Sequence, residues 1–199
     1  MSRYYEFRIN VELTEPEVSR YFQLRVGSTF DELYKDVCVL LNCPRYDDFQ
    51  FCDASGEYFY RMSDGEYELD EVILEGDVGA VKLRNYFVKP GDSCVLTQLR
   101  NPYSGFDSET DFSIEIELIR TFSSSENFRR RFVSGANSIP PFCPGVVDYY
   151  RALAALGRRV PGRFSDEWSD VDLVDERSAL AGWTPETFDA QEMARQFDR

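Results

Sequence analysis

Histidine occurs nowhere in the 199 residues. Its absence removes the usual general base near neutral pH, the commonest metal ligand, and any Ser-His or Cys-His couple. Lysine is scarce too, at Lys35, Lys82 and Lys89, and none sits in a recognisable catalytic motif. There is no Gly-x-Ser-x-Gly elbow and no phosphate loop of the Walker type. No CxxC pair is present, which excludes a zinc knuckle or a thioredoxin-like couple. The expectation is a protein that is not an enzyme, with no catalytic residue, cofactor or metal. Long apolar runs are also missing, none approaching the roughly 20 residues that span a bilayer. The opening residues lack the apolar stretch of a signal peptide. The five cysteines, Cys38, Cys43, Cys52, Cys94 and Cys143, are odd in number and irregularly spaced. They read as reduced structural thiols, and the expected compartment is the cytoplasm.

What is present is core material and acid. Hydrophobic residues make up 43% and aromatics 15%, enough to exclude disorder as a reading of the whole chain. The net charge of -14 is unevenly placed. Residues 1–80 carry 7 basic and 18 acidic side chains, residues 81–163 carry 12 and 8, and residues 164–199 carry 3 and 10. A basic middle between acidic ends favours attraction within the chain. A field of this sign repels phosphate backbones at long range.

Residues 4–13 (YYEFRINVEL) and 18–26 (VSRYFQLRV) alternate apolar and polar, as a hairpin with one buried face does. A helix follows from a cap at Ser28, with Phe30, Leu33, Tyr34, Val37, Leu40 and Leu41 at spacings of three and four, and Pro44 beyond its end. FQFCD and EYFYRM suggest a second hairpin, and AVKLRNYF a short strand. SCVLTQLR and DFSIEIELIRTF supply two more alternating runs, the second with Glu115 and Glu117 on its solvent side. This order predicts an α+β fold, a β-grasp-like or rolled sheet with a packed helix, followed by a helical C-terminal segment. The organisation expected is a core over residues 1–122 and an extension over 123–199 packed on it, together one structural domain. Residues 123–145 read as a long loop, 146–156 as a helix stopped by Gly157, and 172–181 as another ended by Gly182. The tail carries two helix-start signals, Thr184-Pro185 and Asp189 with Glu192. Trp183 and Phe188 are expected to anchor it, with Met193, Ala194 and Phe197 on the buried side of the last helix.

Two charge clusters are candidate binding sites. Asp64, Glu66, Glu68 and Asp70 would share one strand face and could offer oxygen ligands to a hard cation, although the spacing is not that of an EF-hand loop. Solvated charges on a loop or sheet edge are the plainer reading. Arg129, Arg130 and Arg131 lie between Phe128 and Phe132, the one basic stretch interleaved with aromatics. Such a stretch can grip a nucleic-acid strand, a partner's carboxylates, or the chain's own acidic tail.

Four stretches resemble a family of plasmid Orf3-like proteins that travel with mobile elements. YYEFRINVEL is similar to its opening strand and TFDELYKDVCVLL to its T-x-x-E-L-H helix. FVKPGD with DFSIEIELI is similar to its K-x-G-D turn and following strand, and FDAQEMARQF to its terminus. Where the family typically has histidine, this chain has Tyr34 and Ile114, and IPPFCPGV replaces an acidic-cysteine-glycine segment. No metal or phosphate site therefore carries over. The resemblance implies an accessory protein of a plasmid, phage or other mobile element. Together with the charge it leads to an expectation of protein-protein binding, with the acidic chain blocking a basic nucleic-acid-binding partner such as a host or defence protein. The alternative is a nucleic-acid binder working through Arg129–Arg131.

Overall fold

The computed structural model describes residues 1–46, 49–53, 58–62 as backbone, 81–98, 111–141, 143, 145–164, 176–180 and 182–198. Strands β1 (Ser2–Val11) and β2 (Val18–Arg25) form the predicted hairpin, with Phe7 opposite Phe22 and Tyr5 opposite Leu24. Both strands put these residues, with Ile9, Val11 and Val18, on one fully buried face. Helix α1 (Phe30–Leu41) covers that face, burying all six apolar residues expected of it. Its cap is Thr29, one residue later than the sequence suggested. The Thr29 hydroxyl accepts from the Glu32 N–H, and the Glu32 carboxylate accepts from the Thr29 N–H. Two orphan donors are satisfied reciprocally, which Ser28 could not have arranged with Glu32 four positions on. Asn42, in the left-handed region at φ 52°, ends the helix.

Strands β3 (Phe49–Cys52), β4 (Tyr58–Met62), β5 (Ser93–Gln98), β6 (Ser113–Ser124) and β7 (Arg130–Ala136) complete one sheet in the order β4-β3-β5-β6-β1-β2-β7. Every described ladder is antiparallel. The result is an open α+β sheet with β4 and β7 at its edges, in place of the expected grasp-like roll. Two further expectations change. AVKLRNYF forms a single 3-10 turn at Leu83–Asn85, tied to the start of α1 by a bridge between Thr29 and Lys82. The loop expected over 123–145 contains β7, which pairs with β2. A Ser- and Arg-rich stretch has no local strand signal, yet the open edge of β2 supplies a ladder that its backbone can satisfy.

Along β6, Ile114, Ile116 and Leu118 are buried while Glu115 and Glu117 are half-exposed on the opposite side. That second face is partly covered as well. Tyr4 stacks on Phe128 at 4.0 Å, its hydroxyl donating to Glu126 O and accepting from Phe128 N–H. Beside it, Glu6 accepts from Gln23 and Arg120, each at 2.7 Å.

Helix α2 (Val146–Ala155) is held to the first hairpin by Tyr149 and Tyr150, whose hydroxyls donate to Pro16 O and Leu13 O. Gly157 follows it at φ 71°. Residues 176–179 are helical, and Gly182 lies beyond them at φ 82°. Of the tail's two punctuation marks, the first is a turn in which the Thr187 hydroxyl donates to Thr184 O. The second starts helix α3 (Ala190–Phe197), where the Asp189 carboxylate accepts from the N–H groups of Gln191 and Glu192. Trp183, Met193 and Phe197 are buried and Phe188 is half-buried. Phe197 meets Phe22 edge to face at 5.9 Å, so the tail belongs to the main core.

Candidate functional site

Arg130 and Arg131 begin the edge strand β7, where antiparallel pairing fixes their faces, and Arg129 immediately precedes it. Arg130 opposes Leu24 on the α1 side, while Arg131 opposes Gln23 on the other. Arg130 Nη1 donates to Asp36 Oδ1, from a helix residue whose side chain is 1% exposed. Its guanidinium also lies 4.7 Å over the Phe197 ring. Arg129 approaches the same carboxylate at 3.6 Å and Glu32 at 3.9 Å. Arg131 pairs with Glu126 and lies 4.1 Å over Phe128. The basic cluster is therefore turned onto the chain's own carboxylates and rings. Burial raises the Asp36 pKa, outweighing the opposing pull of Arg130 and Arg129. Asp36 Oδ2 and Arg130 Nε are buried without hydrogen-bond partners among the described residues.

The other candidate cluster, Asp64, Glu66, Glu68 and Asp70, lies outside the described residues. Among the described residues, no group of three or more His, Cys, Asp and Glu side chains could hold a metal ion. The two positions where the resemblance would place histidine are both core positions. The Tyr34 ring stacks on Phe49 at 3.8 Å, and its hydroxyl donates to Tyr46 O and accepts from Tyr46 N–H. Burial raises its pKa. Ile114 is wholly buried. All five cysteines are free thiols. Cys38 has a lowered pKa, chiefly because it accepts a hydrogen bond from Cys43.

A residue that sequence reasoning passed over is Arg20. It opposes Ile9 on the buried face of the hairpin and is 1% exposed. Its Nε donates to Leu40 O at 3.0 Å, and Nη1 donates to Ser19 O and Ala136 O at 2.7 and 2.8 Å. Leu40 O is one of the carbonyls left over at the end of α1, so the cation meets the negative end of the helix dipole. The Phe188 ring lies 3.8 Å from the guanidinium carbon. No carboxylate pairs with Arg20 among the described residues. Desolvation without a counter-ion lowers its pKa to about 9.

Room for this side chain is made by Gly135, its partner across the β2–β7 ladder. A Cβ there would sit 2.7 Å from Arg20 Cδ and 2.9 Å from Ser19 O. The signal was available in the strand pattern. In VSRYFQLRV the inward positions are Val18, Arg20, Phe22 and Leu24, and one of the four is a cation. Arg20 lines a cleft of about 230 Å³ between the end of α1, residues 138–141 and the C-terminal segment. A larger opening of about 680 Å³ lies beside α2, where Arg158 and Glu186 form an exposed two-point ion pair.

An open antiparallel sheet, a helix across one face and a stapled C-terminal helix define an α+β protein with a cleft between α1 and its C-terminal segment. No helix among them is long and apolar enough to cross a membrane. Residues 3–194 match the model of the plasmid pRiA4b ORF-3-like proteins, and the chain belongs to that family. The fold is also similar to the crystal structure of a protein of unknown function from Methanosarcina mazei Go1. That likeness has a TM-score of 0.69 at 17% identity, covering 96% of this chain and 98% of the other. No curated protein matches.

Proposed function

We propose that the chain is a non-enzymatic accessory protein of a plasmid, phage or other mobile element that works by binding a basic protein partner. In this reading its acid covers a nucleic-acid-binding surface on that partner. The observation that carries it is the fate of Arg129, Arg130 and Arg131. All three are held by carboxylates of the same chain, and two of them lie over aromatic rings as well. With this patch engaged internally, the net charge of -14 disfavours the approach of a polyanion. The same charge steers a basic surface inward. Membership of a plasmid-borne family supports the accessory role.

The test measures two kinds of binding at about 0.15 M salt. Naked duplex and single-stranded nucleic acid should not bind. A partner captured by the wild-type protein should be released by raised salt, and lost when Asp64, Glu66, Glu68 and Asp70 are reversed in charge. Arg129→Ala, at the most exposed of the three arginines, should leave that complex intact. A nucleic-acid affinity tighter than about micromolar that Arg129→Ala abolishes would overturn the proposal.

A further inference from the structure

We propose that the cleft over Arg20 is a binding site for a small organic monocarboxylate with an apolar body, its carboxylate held by Arg20 Nη2 and its body packed against Leu41, Ile139, Trp183 and Met193. This goes beyond the partner-binding reading and stands without it. A guanidinium has five N–H donors in a fixed fork. Nε and Nη1 are committed to three backbone carbonyls, while Nη2 makes no hydrogen bond among the described residues. The side chain is nevertheless all but fully buried, and a buried cation without an anion is costly. A carboxylate arriving in the cleft would supply both the missing acceptor and the missing charge. The lowered pKa of Arg20 agrees, since burial disfavours its charged form.

The site is built and not incidental. Gly135 keeps open the space through which the Arg20 stem passes, and Phe188 stacks on the guanidinium, fixing its plane. Leu40 O, at the end of α1, fixes the direction of Nε. Held at three carbonyls and one ring, the fork cannot swing away to solvent, so little entropy is lost when an anion docks.

The remaining lining sets the class of ligand. Ser138 accepts from the Trp183 indole N–H at 2.8 Å and donates to backbone carbonyls. Thr187 donates to Thr184 O, Asp189 caps α3, and Glu192 pairs with Arg195. Apart from Arg20 and the exposed Asn42, the polar side chains of the lining are thus engaged within the chain and do not call for a polyhydroxylated ligand. Two carboxylates at the lining, Asp189 and Glu192, oppose a multiply charged anion such as a phosphate. One negative charge and an apolar body satisfy what is left. A volume of about 230 Å³ equals roughly eight waters at ~30 Å³ each, the size of a benzoate-like molecule.

Benzoate and its neutral counterpart benzamide are the probes, titrated into the full chain and followed by calorimetry and by the Trp183 indole N–H resonance. Benzoate is expected to saturate with a Kd between about 10 µM and 1 mM, to move that resonance, and to bind at least about tenfold more tightly than benzamide. Arg20→Met should lose that preference. Should Arg20→Met fail to fold, Thr187→Trp, which fills the cleft from an exposed position, should abolish binding in a chain that still unfolds cooperatively. Equal binding of benzoate and benzamide would overturn the proposal, because the guanidinium would then contribute nothing. Failure of benzoate to saturate, or undiminished binding by a folded Thr187→Trp, would overturn it equally.

Discussion

Replacing Gly135 with alanine adds one methyl group to an edge strand, and local and tertiary reasoning disagree about its sign. Taken alone, glycine in a strand is about 0.5–1 kcal/mol worse than alanine, because glycine loses more backbone freedom on folding. The substitution should then stabilise. In the folded protein the new Cβ would lie 2.7 Å from Arg20 Cδ, 2.9 Å from Ser19 O and 3.1 Å from Phe188 Cε1. Ser19 O is backbone within the β1–β2 ladder, and Arg20 is fixed by its three carbonyls. Neither neighbour is the loose end of a flexible side chain. Overpacking of this kind costs about 1–3 kcal/mol, which exceeds the propensity gain. Gly135→Ala should therefore be less stable by about 1–2 kcal/mol, seen in urea as a midpoint lowered by roughly 0.5 M at an unchanged slope. Pairing it with Arg20→Ala should recover part of the loss, a coupling above about 0.5 kcal/mol in a double-mutant cycle. If Gly135→Ala were as stable as wild type or more so, the packing of Arg20 over this glycine would be refuted.

Two other predictions concern the core and its buried carboxylate. Leu33 is wholly buried between α1 and the sheet, so Leu33→Ala should lose about 2–5 kcal/mol in urea unfolding; wild-type stability would refute the packing. Asp36 has a folded pKa raised above the ordinary 3.8 by burial, so its contribution is fully present below that value and is lost as pH rises through the folded pKa. The stability of wild type relative to Asp36→Asn should accordingly fall between acid and neutral pH. A difference that grew with pH would show that Arg129 and Arg130 outweigh burial.

Local pattern alone was enough for the first hairpin, α1, β6 and the last helix. Alternation in YYEFRINVEL and spacings of three and four from Phe30 to Leu41 reflect strand and helix geometry, which neighbouring residues carry by themselves. Composition likewise ruled out a histidine-based active site before any fold was known. The family, too, was legible in short stretches spread over the chain. Where the pattern was incomplete, boundaries and elements moved. The helix cap fell on Thr29 because only it stands three residues before Glu32. β7 became a strand because β2 offered it an unpaired edge.

The candidate sites depended on contacts between residues far apart in the chain. In sequence, Arg129–Arg131 is a basic patch; in the fold, Asp36 lies 94 positions from Arg130 and neutralises it. Arg20 looks like one more polar residue in an alternating strand until Ala136 O, 116 positions away, and Leu40 O close around it. Gly135 carries no local reason to be glycine, since its φ is not in the left-handed region. Its reason is the stem of Arg20 crossing above it. Sequence by itself determined the amphipathic elements, the charge and the family, because each is a property of neighbouring residues or of their sum. Tertiary structure decided which charges are spent within the protein and which one is left facing a cleft. Electrostatic pairing acts over a few ångströms of space, and only the folded chain sets those distances.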